Sequence, residues 1–276
     1  MLRTLNNCAV IGNSVSAYSP YGGGAYSCTL NNCTVSGNSA AGAWPYAGGT
    51  YSGTANNCIL YFNSAPNGAN YHFLGQSTLT YCCTTPNPGG IGNITNAPLF
   101  ADYPAGNLRL QPDSPCINGG KNADLSGPTD LDDNPRLVSG TVDLGAYEFQ
   151  GAGSAASYAW LQQYGLPTDG SADLSDLDQD GLNTWQEWVA ATNPTNALST
   201  VRITSATKTD NPAGFVVTWE SQTTRKYCLQ RSMDLGQPEF PTIQSNIVGQ
   251  ADTTSYTDTN AAGPGPFFYR VGVASP

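Results

Sequence analysis

"LNNCTVSGNS", residues 30–39, has a near-copy on either side: "LNNCAVIGNS" from Leu5 and "ANNCILYFNS" from Ala55. The offset is 25 residues both times. Asn7, Asn32 and Asn57 align, as do Asn13, Asn38 and Asn63, each followed by Ser, while Val10, Val35 and Leu60 fall two residues after each Cys. "PYGGGAY" (20–26) aligns with "PYAGGTY" (45–51), and an irregular fourth copy begins at "LTYCC" (79–83). A fixed period in this range is the mark of a solenoid. The alternating apolar positions of "C-x-V" suit short strands with one buried face, and the Gly-Asn and Gly-Gly pairs suit turns between them. Strands stacked at a constant period make a right-handed parallel β-helix, each coil rising ~4.8 Å.

Like residues then stack in columns. Cys8, Cys33 and Cys58 form an inward column ending at Cys82 or Cys83. It reads as a row of small hydrophobes. In-register neighbours orient their Cβ atoms alike, which suits a disulfide poorly, and a straight ladder does not converge as zinc requires. Cys28 with Cys33, and the vicinal Cys82–Cys83, are better placed for any disulfide. The Asn columns belong at bends, with side-chain amides bonding to the next coil and to local backbone.

Charge is distributed unevenly. Arg3 is the only charged side chain through Phe100, residues 151–200 hold six acids and no base, and the net charge is −10. No basic stripe exists for nucleic acid. No apolar run approaches the ~20 residues of a membrane span. The chain starts directly in a repeat with no signal peptide, so it reads as the inside of a longer gene. The composition suits an extracellular or bacterial cell-surface location.

The repeats offer no carboxylate for a glycosidase or lyase, so no catalytic residue is assigned. His72, in "ANYHF", reads as a turn or surface residue. The aromatic residues Tyr21, Trp44, Tyr46 and Tyr51 are candidates for binding a sugar or protein, or else pack under the Gly-rich turn.

After Asn93 the sequence changes to "GNITNAPLFADYPAGNLRLQPDSPCINGGKN" and then "TDLDDNPRLVSGTVDLGAYEF". This segment resembles the end of bacterial surface β-helix proteins of the choice-of-anchor Q type. The resemblance covers residues 93–149 and implies fold and location more than activity. The segment is expected to cap the open end of the solenoid, with Leu144, Tyr147 and Phe149 plugging its core. Asp130, Asp132, Asp133 and Arg136 are a candidate second polar site. An Arg136–carboxylate pair that caps turns is the plain reading, with a cation site or catalysis as alternatives.

"DLDQDGLNTWQE" carries the sharpest chemistry. Asp176, Asp178 and Asp180 stand at positions one, three and five of a twelve-residue loop. Gly181 follows at six, the Leu182 carbonyl at seven, Thr184 at nine and Glu187 at twelve. That spacing surrounds one Ca2+ with oxygens. Asn183 replaces the usual aliphatic at position eight, so a paired EF-hand is not expected. The stretch resembles bacterial calcium repeats related to thrombospondin type 3, with a short helix leaving the loop anchored by Trp185 and Trp188. Residues 200–276 read as alternating strands and resemble fibronectin-III-like modules.

The sequence therefore predicts an all-β chain. Residues 1–150 form a short parallel β-helix with its cap, 151–198 a calcium loop–helix linker with a mobile Gly/Ala/Ser start, and 199–276 a small antiparallel sandwich. The function expected is non-enzymatic adhesion, assembly or glycan contact with structural calcium. A polysaccharide lyase or glycoside hydrolase using the acids near the cap is one alternative. A filament subunit that self-associates through its open first coil is another.

Overall fold

A computed structural model describes residues 3–73, 77–236 and 240–274. The chain divides into two compact units, Met1–Ala172 and Asp173–Pro276.

The first unit holds a parallel β-solenoid of about three turns. Strands β1 (Arg3–Asn6), β2 (Ala9–Ile11) and β3 (Ser14–Ser16) build the first coil. Strands β4 (Ala25–Asn31), β5 (Thr34–Ser36) and β6 (Ser39–Ala41) build the second. The long β7 (Thr50–Tyr61) and β8 (Tyr71–His72) follow, and β9 (Thr78–Thr84) ends the stack. The register is the sequence repeat itself: Leu5 pairs with Leu30 and Leu30 with Ala55, all in parallel. Near the aromatic turn the coil is narrow. A Cβ on Gly23 or Gly48 would overlap backbone atoms of Ser39 and Ser64 respectively.

The core runs along the axis as Leu30, Cys33, Val35, Ala55, Cys58, Leu60, Leu79 and Cys82. The cysteine column thus ends on Cys82, and Cys83 faces the opposite way. All eight cysteines are free thiols, including both pairs favoured above for a disulfide. Core packing and hydrogen-bonded ladders hold the coils together. The Oδ1 of Asn38 accepts from the backbone and side-chain nitrogens of Asn13, both at 2.9 Å. Asn63 does the same for Asn38, and Asn70 closes the ladder by accepting from Asn63 at 3.1 and 3.2 Å. Stacked amides of this kind satisfy one another out of water. An outer ladder joins Asn56 to Asn31 and Asn31 to Asn6, and ends where Thr80 donates to Asn56.

Asn7, Asn32 and Asn57 sit at bends as expected, with φ of 50°, 50° and 52°. Asn tolerates this left-handed conformation better than most residues. Their bonding partners differ from the expectation. Asn7 donates to the Thr129 carbonyl, Asn57 donates to the Lys121 carbonyl and accepts its amide, and Ser126 donates to both Asn7 and Asn32. The C-terminal segment of this unit is therefore a strap along the flank of the coils, from the third back to the first. Ile59 and Thr34 alternate away from the core, and the strap covers them: Gly145 lies against both, and Ala146 donates to the Thr34 hydroxyl. The end of the stack is closed instead by residues 91–96, where Ile94 bridges Cys83. Leu144 is fully buried in the strap, while Tyr147 and Phe149 are only half-buried, so the expected core plug is absent. Strands β10 (Phe100–Asp102) and β11 (Asn107–Leu110) form a small hairpin before the strap.

The stretch from 151 is not a free linker. Ser154 and Ala156 are fully buried, Asn118 donates to the Ser154 carbonyl, and helix α1 (Tyr158–Gln163) buries Tyr158 and Leu161. Packing moves the boundary to 172/173.

The second unit opens with the acidic loop and helix α2 (Thr184–Ala190). Strands β12 (Ile203–Asp210), β13 (Ala213–Ser221), β14 (Lys226–Ser232), β15 (Thr242–Val248), β16 (Asp252–Asp258) and β17 (Phe268–Val273) follow. They pair antiparallel into two sheets, β12-β13-β16 and β15-β14-β17. Val217, Trp219, Tyr227 and Leu229 form their shared core. Among the described residues no helix is long and apolar enough to cross a membrane.

Candidate functional site

The loop before α2 gathers its acids through local hydrogen bonds. Asp176 accepts the amides of Gln179 at 2.8 Å and Gly181 at 3.0 Å, and Asp180 accepts that of Leu182 at 2.7 Å. Gly181 has φ of 99°, which suits the residue at the tightest turn. The turns place one carboxylate oxygen each from Asp176, Asp178 and Asp180 within 4.8 Å of one another. The second oxygens of Asp178 and Asp180 are buried with no hydrogen-bond partner.

Glu187 lies outside that triad but near enough to Asp178 and Asp180 to feel their charge. Its side chain is fully buried, and neither carboxylate oxygen has a partner. Burial, with Asp178 and Asp180 adding repulsion, pushes its carboxyl up to about 7. No ion pair among the described residues involves these acids. Thr184 is also buried, but its hydroxyl donates to the Ser175 carbonyl at 3.0 Å, so it ties the loop ends together.

The unexpected Asn183 has a local role. It caps α2, accepting the Gln186 amide at 2.9 Å while the Gln186 side chain accepts the Asn183 amide at 2.9 Å. This reciprocal cap fixes the helix that carries Glu187. Trp185 is exposed and does not anchor the helix; Val189 and Ala190 are its buried face. Arg225, which sequence reasoning missed, donates to the Trp188 and Val189 carbonyls at 2.9 and 2.6 Å. A cation there suits the negative end of a helix.

The second polar site does not assemble. Asp132 pairs with Arg109 at 2.6 Å, and Asp133 is exposed. Asp130 and Arg136 are buried, and Arg136 forms no salt bridge among the described residues, donating instead to the Gly145 carbonyl. Asp130 accepts the amides of Asp132, Asn134 and Glu148. Asp143 accepts those of Asn118 and Phe149, and Glu148 those of Val138 and Asp143. These carboxylates fold the strap. Burial pushes the Asp143 carboxyl up to about 7 and the Glu148 carboxyl up to about 9, against the opposing pull of those amides and of Arg136.

The aromatic candidates form two columns. Tyr21 stacks on Tyr46 with centroids 5.8 Å apart, and Tyr26 stacks on Tyr51 at 5.7 Å. His72 continues the second column at 5.5 Å from Tyr51 and meets the edge of Tyr46 at 4.9 Å. It is a rung of β8 and not a turn residue. Tyr51 is buried, which removes it from the surface; Tyr21, Tyr26 and Trp44 are exposed. Trp44 stacks on no other ring among the described residues, and its amide donates to the Tyr18 carbonyl at 3.0 Å. Tyr26 was legible from the same 25-residue register as Tyr51; His72 was not, because the third coil is shorter.

Comparison of the chain with family models, curated proteins and solved structures finds no match.

Proposed function

We propose that this is a non-enzymatic protein of the extracellular space or bacterial cell surface, with Ca2+ in the acidic loop and a solenoid that contacts a polysaccharide or another surface protein. The observation that carries the calcium assignment is Glu187: a buried carboxylate with two unpartnered oxygens beside Asp178 and Asp180. Such a group is costly unless a proton or a cation neutralises it, and the neighbouring Asp triad favours the cation. Carboxylates and a carbonyl favour a hard ion over zinc or copper. Asp176, Asp178, Asp180, Glu187 and the Leu182 carbonyl would hold it, ordering the segment that opens the second unit. The two sheets that follow fit a sandwich of the fibronectin-III kind, as the motif resemblance implies.

The acids near the strap give the lyase or hydrolase reading little support, because burial and backbone amides occupy Asp130, Asp143 and Glu148 and Arg109 pairs with Asp132. The contact surface rests on the exposed rings of Tyr21, Tyr26 and Trp44, which suit the apolar faces of sugars. Calorimetric titration of the EDTA-stripped chain tests the metal assignment. One saturable Ca2+ site, lost in Glu187→Gln, is expected; no uptake by the wild type refutes it. Retention on bacterial polysaccharides, reduced by Tyr21→Ala and Trp44→Ala, tests the surface.

A second reading, self-association, has its own observation. Leu5, Cys8 and Val10 of the first coil are only half-buried, whereas Leu30, Cys33 and Val35 one coil on are fully buried. Light scattering that shows a monomer at high concentration removes it.

A further inference from the structure

Cys83 and Cys116 come from opposite sides of one buried seam. Cys83 lies on β9 and faces away from the solenoid core, in register with Ile59 of β7. The strap covers that outward row: Gly145 lies on Thr34 and Ile59, and its neighbour Leu144 donates to the Cys116 carbonyl at 3.0 Å. Cys116 therefore stands over the next rung, which is Cys83. The segment between them converges on the same place. The Cys83 thiol donates to the Asn96 carbonyl at 3.1 Å, and the Ser114 hydroxyl to the Pro98 carbonyl at 2.5 Å. Both cysteines are fully buried.

We infer that Cys83 and Cys116 form a disulfide when the chain folds in an oxidising environment, stapling the strap to the flank of the solenoid. Their thiols meet across a seam, one from a strand and one from the strap, rather than side by side along one ladder. The other candidates lack this geometry. Cys33, Cys58 and Cys82 stack in register with their Cβ atoms pointing alike. Cys82 and Cys83 point to opposite faces of one strand. Cys28 is register-paired with Gly53.

The chemistry is two-step thiol–disulfide exchange with a small-molecule disulfide such as oxidised glutathione. One thiolate attacks it, forming a mixed disulfide and releasing one reduced thiol. The second cysteine then displaces the other reduced thiol, so the protein loses two protons and two electrons to the oxidant. The folded seam hydrogen-bonds the two thiols and, by burial, holds Cys116 well above the ordinary thiol range, so exchange belongs to folding, before the strap closes. The inference does not depend on the calcium assignment.

Peptide mapping of the full chain tests it. The protein is refolded in a glutathione redox buffer, denatured without reductant, alkylated and cleaved with chymotrypsin, which cuts after Tyr81 and Leu110. The expected product is one linked pair of peptides joining Cys83 to Cys116, with the remaining cysteines alkylated, and a lower denaturation midpoint for the first unit after reduction. Alkylation of both cysteines in the oxidised wild type overturns the proposal, as does a link located at Cys82. In Cys116→Ser, Cys83 is expected to become alkylated; should that variant fail to fold, the wild-type map still decides.

Discussion

The Asn38 ladder and the Asp178–Glu187 loop both bury polar side chains, and they do so in opposite ways. Each Asn of the ladder finds its donors and acceptors in the adjacent coils, so the polar column closes on itself. In the loop the backbone amides satisfy one oxygen each of Asp178 and Asp180, and four other carboxylate oxygens stay buried without a partner. A neutral amide carries both a donor and an acceptor and can be repeated indefinitely; a carboxylate only accepts, so gathered carboxylates need a proton or a cation. The completed column is architecture, and the incomplete cluster is where the proposed cation would sit.

The largest effect should come from breaking the closed column. Asn38→Ala leaves the amide of Asn13 and the carbonyl of Val10 without their side-chain partner. At about 1–3 kcal/mol per orphaned group, a loss of ~2 kcal/mol or more is expected in denaturant unfolding of the first unit. A loss under ~1 kcal/mol would erase the distinction drawn here. Completing the open cluster should act next. Free Ca2+ at 100 times its Kd should stabilise the second unit by about 2.7 kcal/mol and leave the first unchanged. Glu187→Gln should raise the ion-free stability and abolish that response, as read by calorimetry with and without EDTA.

A third expectation concerns the strap, where carboxylates are buried but fully bonded. Asp143 and Glu148 are held up at about 7 and about 9, whereas unfolded carboxylates titrate near 4. Between these values the folded state binds more protons than the unfolded state. Stability of the first unit should therefore be highest below about pH 4 with respect to this pair. It should fall as pH rises toward 9, by at most about 1.4 kcal/mol per pH unit for each proton. Unfolding midpoints measured from pH 4 to 9 check the sign. The smallest effect is expected from the outer ladder: Asn31→Ala, at a half-exposed rung that water can re-solvate, should cost about 1 kcal/mol or less.

What was legible in the sequence follows a rule. The solenoid, its register and its cysteine column repeat every 25 residues, and repetition translates directly into stacking. The acidic loop was legible because Asp176, Asp178 and Asp180 lie within five residues and local turns gather them. The strap was misjudged as an end cap because its contacts run from residues 121–146 back to Asn7, Asn32 and Asn57, with no repeat to announce them. The same distance hid Arg225 below α2 and moved His72 into the Tyr26–Tyr51 column.

Sequence alone determined the coil, its period, its inward face and the twelve-residue acid spacing, because each depends on residues one strand or one turn apart. Tertiary structure alone decided which polar groups are satisfied: it closed the Asn columns, turned the Asp130–Glu148 carboxylates inward onto backbone amides, and set Cys116 over Cys83. Satisfaction depends on what packs against a group from elsewhere in the chain, and burial by a distant segment leaves no local pattern to read.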